Sequence, residues 1–335
     1  MSLYKAETRR LVKRRATKLF VFCGLLVLAT VAVGVFVTNQ KAGPETVARA
    51  KAEAQANYQQ AVEDTNRAIG ECQAAQGTAK AGDYPPNCDI TAPTPSDFNP
   101  DWYMPATFDF RNRFPSMVAT FAGVLALVAF IIGASFVGAE WSSGGMMNLL
   151  LWRPRRRQVL GTKLAVLLAG TTVLTAALGV IWTAAFYVIA MARGSTAKMT
   201  SGAWQSLALM EARALVLVLV AGALGFGLAS IGRHTATALG VAIGVIVVLQ
   251  FGVGAVLGLA NAKYPELYLA PFWIIAWMYK QYVAEDYHSC AVSLTGGCQP
   301  ETFTITWQMA GGALTLLFAL VVGVAMWTMS KRDIT

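Results

Sequence analysis

Long uncharged stretches alternate with short charged ones from one end of the chain to the other. Apolar runs cover residues 19–37, 115–137, 164–191, 207–231, 235–260 and 307–329. Each has about the 20 residues that a helix rising 1.5 Å per residue needs to cross a hydrocarbon layer. The pattern predicts an all-α integral membrane protein of six transmembrane helices, because only a helix or a closed barrel satisfies its own backbone in lipid.

The segments between the runs have different characters. Residues 1–18 hold Lys5, Arg9, Arg10, Lys13, Arg14, Arg15 and Lys18 against a single acid, Glu7. Leu3, Ala6, Arg10, Leu11 and Arg14 recur at helical spacing, which predicts an amphipathic helix lying on an anionic membrane surface. The run at 19–37 is longer than the apolar core of a signal peptide and is read as an uncleaved first span. Residues 38–113 are polar and acidic overall. Within them 44–76 reads as a long helix opening at Pro44, with Val47, Ala50, Ala54, Tyr58, Ala61, Ile69 and Cys72 on one stripe and a Glu63–Arg67 pair on the surface. Six prolines between 83 and 105 predict irregular chain. Residues 261–306 are strongly aromatic and read as a re-entrant hairpin before span six; their apolar part, 267–278, is too short to span and reads as a re-entrant or interfacial helix.

Charge then sets the orientation. Basic residues number seven in 1–18, five in the 138–163 connection and two after span six, against two in the short 193–206 loop. The excess places both termini and the 138–163 connection in the cytoplasm, and 38–113 and 261–306 outside as extracytoplasmic segments. Only 13% of the residues are charged, and the net charge of +9 gathers at the ends of apolar runs. A membrane protein meeting lipids fits that placement, and a nucleic-acid partner does not.

With that topology Cys72, Cys88, Cys290 and Cys298 all lie outside and Cys23 lies within span one. Proximity favours the disulfides Cys72–Cys88 and Cys290–Cys298, and the compartment points to a bacterial plasma membrane. A His288/Cys290/Cys298 metal site is the rival for the second pair, but it lacks a fourth ligand, so no metal is expected.

Several functions are excluded by missing parts. There is no phosphate-cradling G-x-x-x-x-G-K-[ST] loop, no H-E-x-x-H, no G-x-S-x-G and no carboxylate pair inside a span. The chain is therefore expected to be no enzyme and to carry no cofactor of its own. An ion-driven carrier needs intramembrane ionisable groups, and the spans offer only Glu211 and Arg213 near one end, Gln250 and hydroxyls. Gly240/Gly244 and Gly254/Gly258 in span five are small-xxx-small pairs, suited either to packing inside the chain or to a subunit interface.

The 138–163 connection reads GAEWSSGGMMNLLLWRPRRRQVLGTK. Its Glu140, its Gly144 or Gly145, Leu150-Leu151, Pro154 and Arg157, with Lys163 opening the next helix, resemble the first cytoplasmic connection of the permease subunits of type-2 ABC exporters. The six spans, the basic N-terminal helix and the hairpin before span six match that family too; residues 38–113 carry no family signature. The resemblance implies a coupling helix that docks into a separate ATPase. Here that helix would cover 140–152, with Glu140 favourable at its N-terminal end, Met146, Met147, Leu150 and Leu151 as an apolar knob, and Pro154 as its stop.

The resemblance further implies two ATPase subunits that hold the ATP and Mg, and a second permease copy or a homologous permease. It also implies a translocation pathway near Phe121, Leu125, Val128, Val247, Gln250 and Phe251. A lining so apolar suits an amphipathic or lipid-like solute, such as a drug, an antibiotic, a lipid or a peptide. The competing expectation is a non-transporting sensor or scaffold whose extracytoplasmic helical domain binds a partner.

Overall fold

The computed structural model describes residues 3–78, 82–152, 155–286 and 300–331. Among them six helices are long and apolar enough to cross a membrane. The chain separates into two compact units, one built from Met1–Ala32, Arg111–Phe186 and Met199–Thr335, the other from Val33–Phe110 and Tyr187–Lys198.

The helices outrun the apolar segments they contain, because polar ends can keep hydrogen-bonding in a helix after the hydrocarbon stops. The order is α1 (Leu3–Lys13), α2 (Arg15–Thr38), α3 (Pro44–Ala75), α4 (Phe110–Ser142), α5 (Gly145–Trp152), α6 (Arg156–Arg193) and α7 (Ser201–Gly232). The fifth span, Thr235–Leu259, is α8 (Thr235–Val245), a π-helical stretch (Ile246–Val253) and α9 (Gly254–Leu259). Then follow α10 (Ala270–Tyr279) and α11 (Trp307–Lys331).

In the larger unit, backbones approach most closely where α4 crosses α7. A Cβ on Gly133 would meet the Gly222 carbonyl oxygen at 2.2 Å, and one on Gly225 would meet that of Phe130 at 2.1 Å. Small residues at a crossing let dispersion contacts replace the hydrophobic drive that lipid removes. The span-five glycines behave differently. Gly240, Gly244 and Gly258 have nothing within 4 Å of an added Cβ. Among the described residues nothing packs against these three glycines, and the most apolar window of that span has no buried residue.

The aromatic segment before the last span contains α10 and also strand. β3 (Gln281–Asp286) pairs antiparallel with β4 (Glu301–Thr306), in register from Gln281↔Thr306 to Asp286↔Glu301. The chain is mostly helical as expected, and the ribbon is a local addition to it: the alternating β-branched pattern of ETFTIT makes a strand next to the short helix. Trp277 ties α10 to α7 by donating its indole N–H to the Arg213 carbonyl, 2.9 Å away.

The smaller unit is built on α3, which starts at Pro44 and continues through Gly70 without a break. Ala50, Ala54 and Cys72 form its buried stripe. The proline-rich chain makes short 3-10 turns at Pro95–Phe98 and Pro100–Tyr103, and Phe98 meets Tyr58 edge-on at 5.9 Å. Cys72 and Cys88 are disulfide-bonded, with Cα atoms 5.8 Å apart. His288, Cys290 and Cys298 lie outside the described residues. Arg67 pairs with Asp64 at 3.3 Å, one turn position away from the Glu63 expected as its partner. β1 (Phe108–Asp109) and β2 (Gly194–Ser195) form a short parallel pair, and Lys198 reaches Asp109 at 3.2 Å.

Candidate functional site

The ends of α4 and α6 that flank α5 meet α1 in a cluster of buried charge. Lys163 Nζ lies 2.6 Å from Glu7 Oε2 and 2.7 Å from Glu140 Oε2. Lys163 is 0% exposed, Glu7 1% and Glu140 14%. Arg10 Nη1 donates to Glu7 Oε1 at 3.1 Å. Two acids and two cations therefore neutralise one another, the condition under which buried charges are tolerated.

Each member is delivered by a recognisable feature of local sequence. On α1, Leu3, Glu7 and Leu11 are four residues apart and share one face, and Leu3 and Leu11 join the apolar core around the cluster. The lone acid of the basic helix is thus on its apolar side and must find a buried cation. Glu140 sits in the last turn of α4, where the helix dipole disfavours an acid, and Lys163 supplies the compensating charge. Phe136 closes the site: its ring has Lys163 Nζ 5.1 Å and Arg14 5.7 Å from its centre. The Arg14 guanidinium also donates to the carbonyls of Ser135 at 3.1 Å and Phe136 at 3.0 Å, capping part of the α4 backbone.

The expected coupling segment divides differently from the sequence reading. Glu140 belongs to α4, and α5 starts only at Gly145, because the chain turns at Gly144 with φ of +72°, a conformation suited to glycine. Glu140 is therefore not at the N-terminal end of the short helix, and its dipole contact is the unfavourable one. Met146 is fully buried and belongs to the same apolar core as Phe136, Val159, Leu160 and Leu164. As part of an outward knob it is corrected: an eight-residue helix with almost no polar side chain does not reveal which face is inside. Met147 is half-buried and Asn148 exposed. Leu150 and Leu151 are in the last turns of α5, their side chains outside what is described, and Pro154 lies outside the described residues. Arg157 is exposed and donates to Ser330 Oγ at the end of α11, 3.2 Å away.

The six pathway residues are not gathered on one surface of the single chain. Phe121, Leu125 and Val128 are buried: Phe121 stacks on Trp182 of α6 at 5.8 Å, and Val128 Cγ2 lies 2.8 Å from where a Cβ on Gly24 would stand. Val247 is 52% and Phe251 71% exposed, with Gln250 between them half-buried. These three share the π-helical stretch Ile246–Val253. Such a wide turn, rare in helices, is a feature that periodicity does not reveal. Of the two ionisable groups noted in the spans, Glu211 accepts from Thr183 Oγ1, and Arg213 has Trp307 5.8 Å from its guanidinium.

Sequence reasoning treated Lys163 as the start of a helix and Glu7 only as the one acid among cations. The Leu3–Glu7–Leu11 spacing is the available signal for Glu7. Gly138 adds a further junction: its Cα hydrogen faces the first residue of α8, where an added Cβ would stand 2.5 Å from the Thr235 backbone nitrogen. The flanks of α5 thus touch α1, α4, α6 and the start of span five.

The family model described as ABC-2 family transporter protein matches residues 1–334. No individual curated protein is similar enough in sequence to give a match. The chain belongs to the ABC-2 transporter family.

Proposed function

We propose that this ABC-2 family chain is the membrane-spanning subunit of an ATP-driven exporter, set in motion by a separate ATPase that docks at the α4–α5–α6 connection on the cytoplasmic side. The family supports association with an ABC ATPase. The observation that carries the reading is the rooting of α5. Its Met146 is inserted into the core that surrounds Lys163, Glu7 and Glu140, so a push on α5 reaches α1, α4 and α6 together. Densely packed interiors transmit such displacements because they are poorly compressible.

With Met146 turned inward, the surface left for the ATPase is Met147, Asn148 and the exposed Ser142 and Ser143, flanked by Arg155 and Arg157. Two ATPase subunits and two permeases complete the assembly, in which Val247, Gln250 and Phe251 of one copy face Phe121, Leu125 and Val128 of the same or the other after rearrangement. The wall so formed suits an amphipathic or lipid-like solute, with Gln250 as its one polar group.

Purification of the full chain from its native membrane in mild detergent tests this. An ATPase of the phosphate-loop type should accompany it, and Glu140→Ala should leave ATP hydrolysis running while solute export falls. Absence of any nucleotide-hydrolysing companion, or unchanged export per ATP in Glu140→Ala, overturns the reading.

A further inference from the structure

A groove of about 570 Å³ opens between α1, α2, α4 and α6, within the larger unit. Its floor is Leu11, Ile132, Val166 and Leu167, all buried. Two of the hydroxyls at its wall are satisfied by their own helices: Thr8 Oγ1 donates to the Tyr4 carbonyl at 2.9 Å, and Thr171 Oγ1 to that of Leu167 at 2.9 Å. They therefore present methyl groups. Gly170 lets Leu11 come close, since an added Cβ there would be 3.1 Å from Leu11 Cδ2.

One cation lines this apolar groove, Lys18. Among the described residues it has no carboxylate partner, unlike Lys163 and Arg10. Lys5, Arg9, Lys13 and Arg15 add positive charge along the same helix and its junction with α2. Three of the four helices around it, α2, α4 and α6, are membrane spans, so the medium at the opening is hydrocarbon topped by headgroups. An apolar slot with a single unpaired cation, beside a basic interfacial helix, matches one occupant by both shape and charge.

We propose that this groove is a binding site for an anionic phospholipid, one acyl chain lying along Leu167 and Val173 and the phosphate meeting Lys18. The volume falls within the range of small-ligand sites. The lipid would fasten α1 to the spans from the face adjoining Glu7, so that the N-terminal helix is held by an ion pair and, beside it, by a lipid. This does not depend on transport or on an ATPase.

Native mass spectrometry of the full chain, offered equal dioleoyl phosphatidylglycerol and dioleoyl phosphatidylcholine, reads the preference. Phosphatidylglycerol should be retained about fivefold over phosphatidylcholine, the ratio one lysine gives at an anionic surface. Lys18→Ala should bring the ratio near one, whereas Lys13→Ala, which removes an equal charge outside the groove, should leave it. Val173→Trp should reduce retention of both lipids. Equal retention by the unaltered protein, or equal loss in Lys13→Ala and Lys18→Ala, overturns the proposal. Should a variant fail to fold, a phosphatidylglycerol with a photoreactive acyl chain decides on the unaltered protein. Adducts within 4–21 and 166–177 support the site, and adducts confined elsewhere refute it.

Discussion

Glu7 and Lys163 are 156 positions apart, and their side chains form a fully buried ion pair of 2.6 Å. The pair fixes the N-terminal helix against the start of the third span. Its second carboxylate, Glu140, extends the same bond to the end of the second span.

Removing the cation should be costly. Lys163→Met leaves Glu140 without its cation and Glu7 with Arg10 alone, and loss of one partner from a buried pair destabilises by about 3–5 kcal/mol. Thermal unfolding in detergent should show this as a lowered midpoint. Glu7→Gln combined with Lys163→Met should recover part of it, because the acid no longer needs compensation. Strict additivity of the two changes would contradict the pairing.

Glycines separate by location. Gly225→Ala places a methyl group against the Phe130 carbonyl oxygen and should cost about 1–3 kcal/mol through forced separation of α4 and α7. Gly240→Ala meets nothing within 4 Å and should change the stability of the isolated chain by less than about 0.5 kcal/mol. Melting curves of the two variants side by side test the contrast.

Reducing the Cys72–Cys88 bond, or replacing both residues by Ser, should loosen the smaller unit. The bridge closes a separation of 16 residues, for which chain entropy gives about 3 kcal/mol. Hydrogen exchange should accelerate along α3 and leave α4 and α7 as they were. Equal acceleration in α4 would show that the bridge supports more than its own unit.

The exposed contact between Lys263 and Glu301 gives a pH signature. The Lys263 hydrogen bond, and then its charge, holds the Glu301 carboxyl below its usual value; the same bond raises the Lys263 ammonium above its own. With Glu301 depressed, its contribution is complete above roughly pH 4.3 and is lost as pH falls through the lowered value; with Lys263 raised, its contribution is complete below roughly pH 10.4 and is lost as pH rises through the raised one. The protection of the Thr302 amide, taken as its exchange relative to the intrinsic rate at each pH, should therefore be greatest in the broad window between and fall at either extreme. Glu301→Gln should flatten the acid limb.

The spans were readable because each is a long run without charge, and lipid allows such a run only one conformation. The β3–β4 ribbon was hidden by the aromatic residues preceding it, which drew attention to α10, although ETFTIT has the alternation of a strand. Glu140 and Lys163 could be picked out by resemblance, but their meeting depends on how α4 and α6 pack, which no local pattern encodes. Glu7 was legible in principle, an acid in register with Leu3 and Leu11. Met146 was not, since every side of α5 but Asn148 and Gly145 is apolar.

The central claim is that a nucleotide-hydrolysing partner grips α5 by its outward face. A photoreactive amino acid placed at Asn148, and separately at Met146, in the chain purified with its native companions tests this most directly. The account predicts an adduct to an ATPase from position 148 and none from the buried position 146. Labelling of position 148 by reagents applied outside intact cells, with no ATPase adduct, would contradict it.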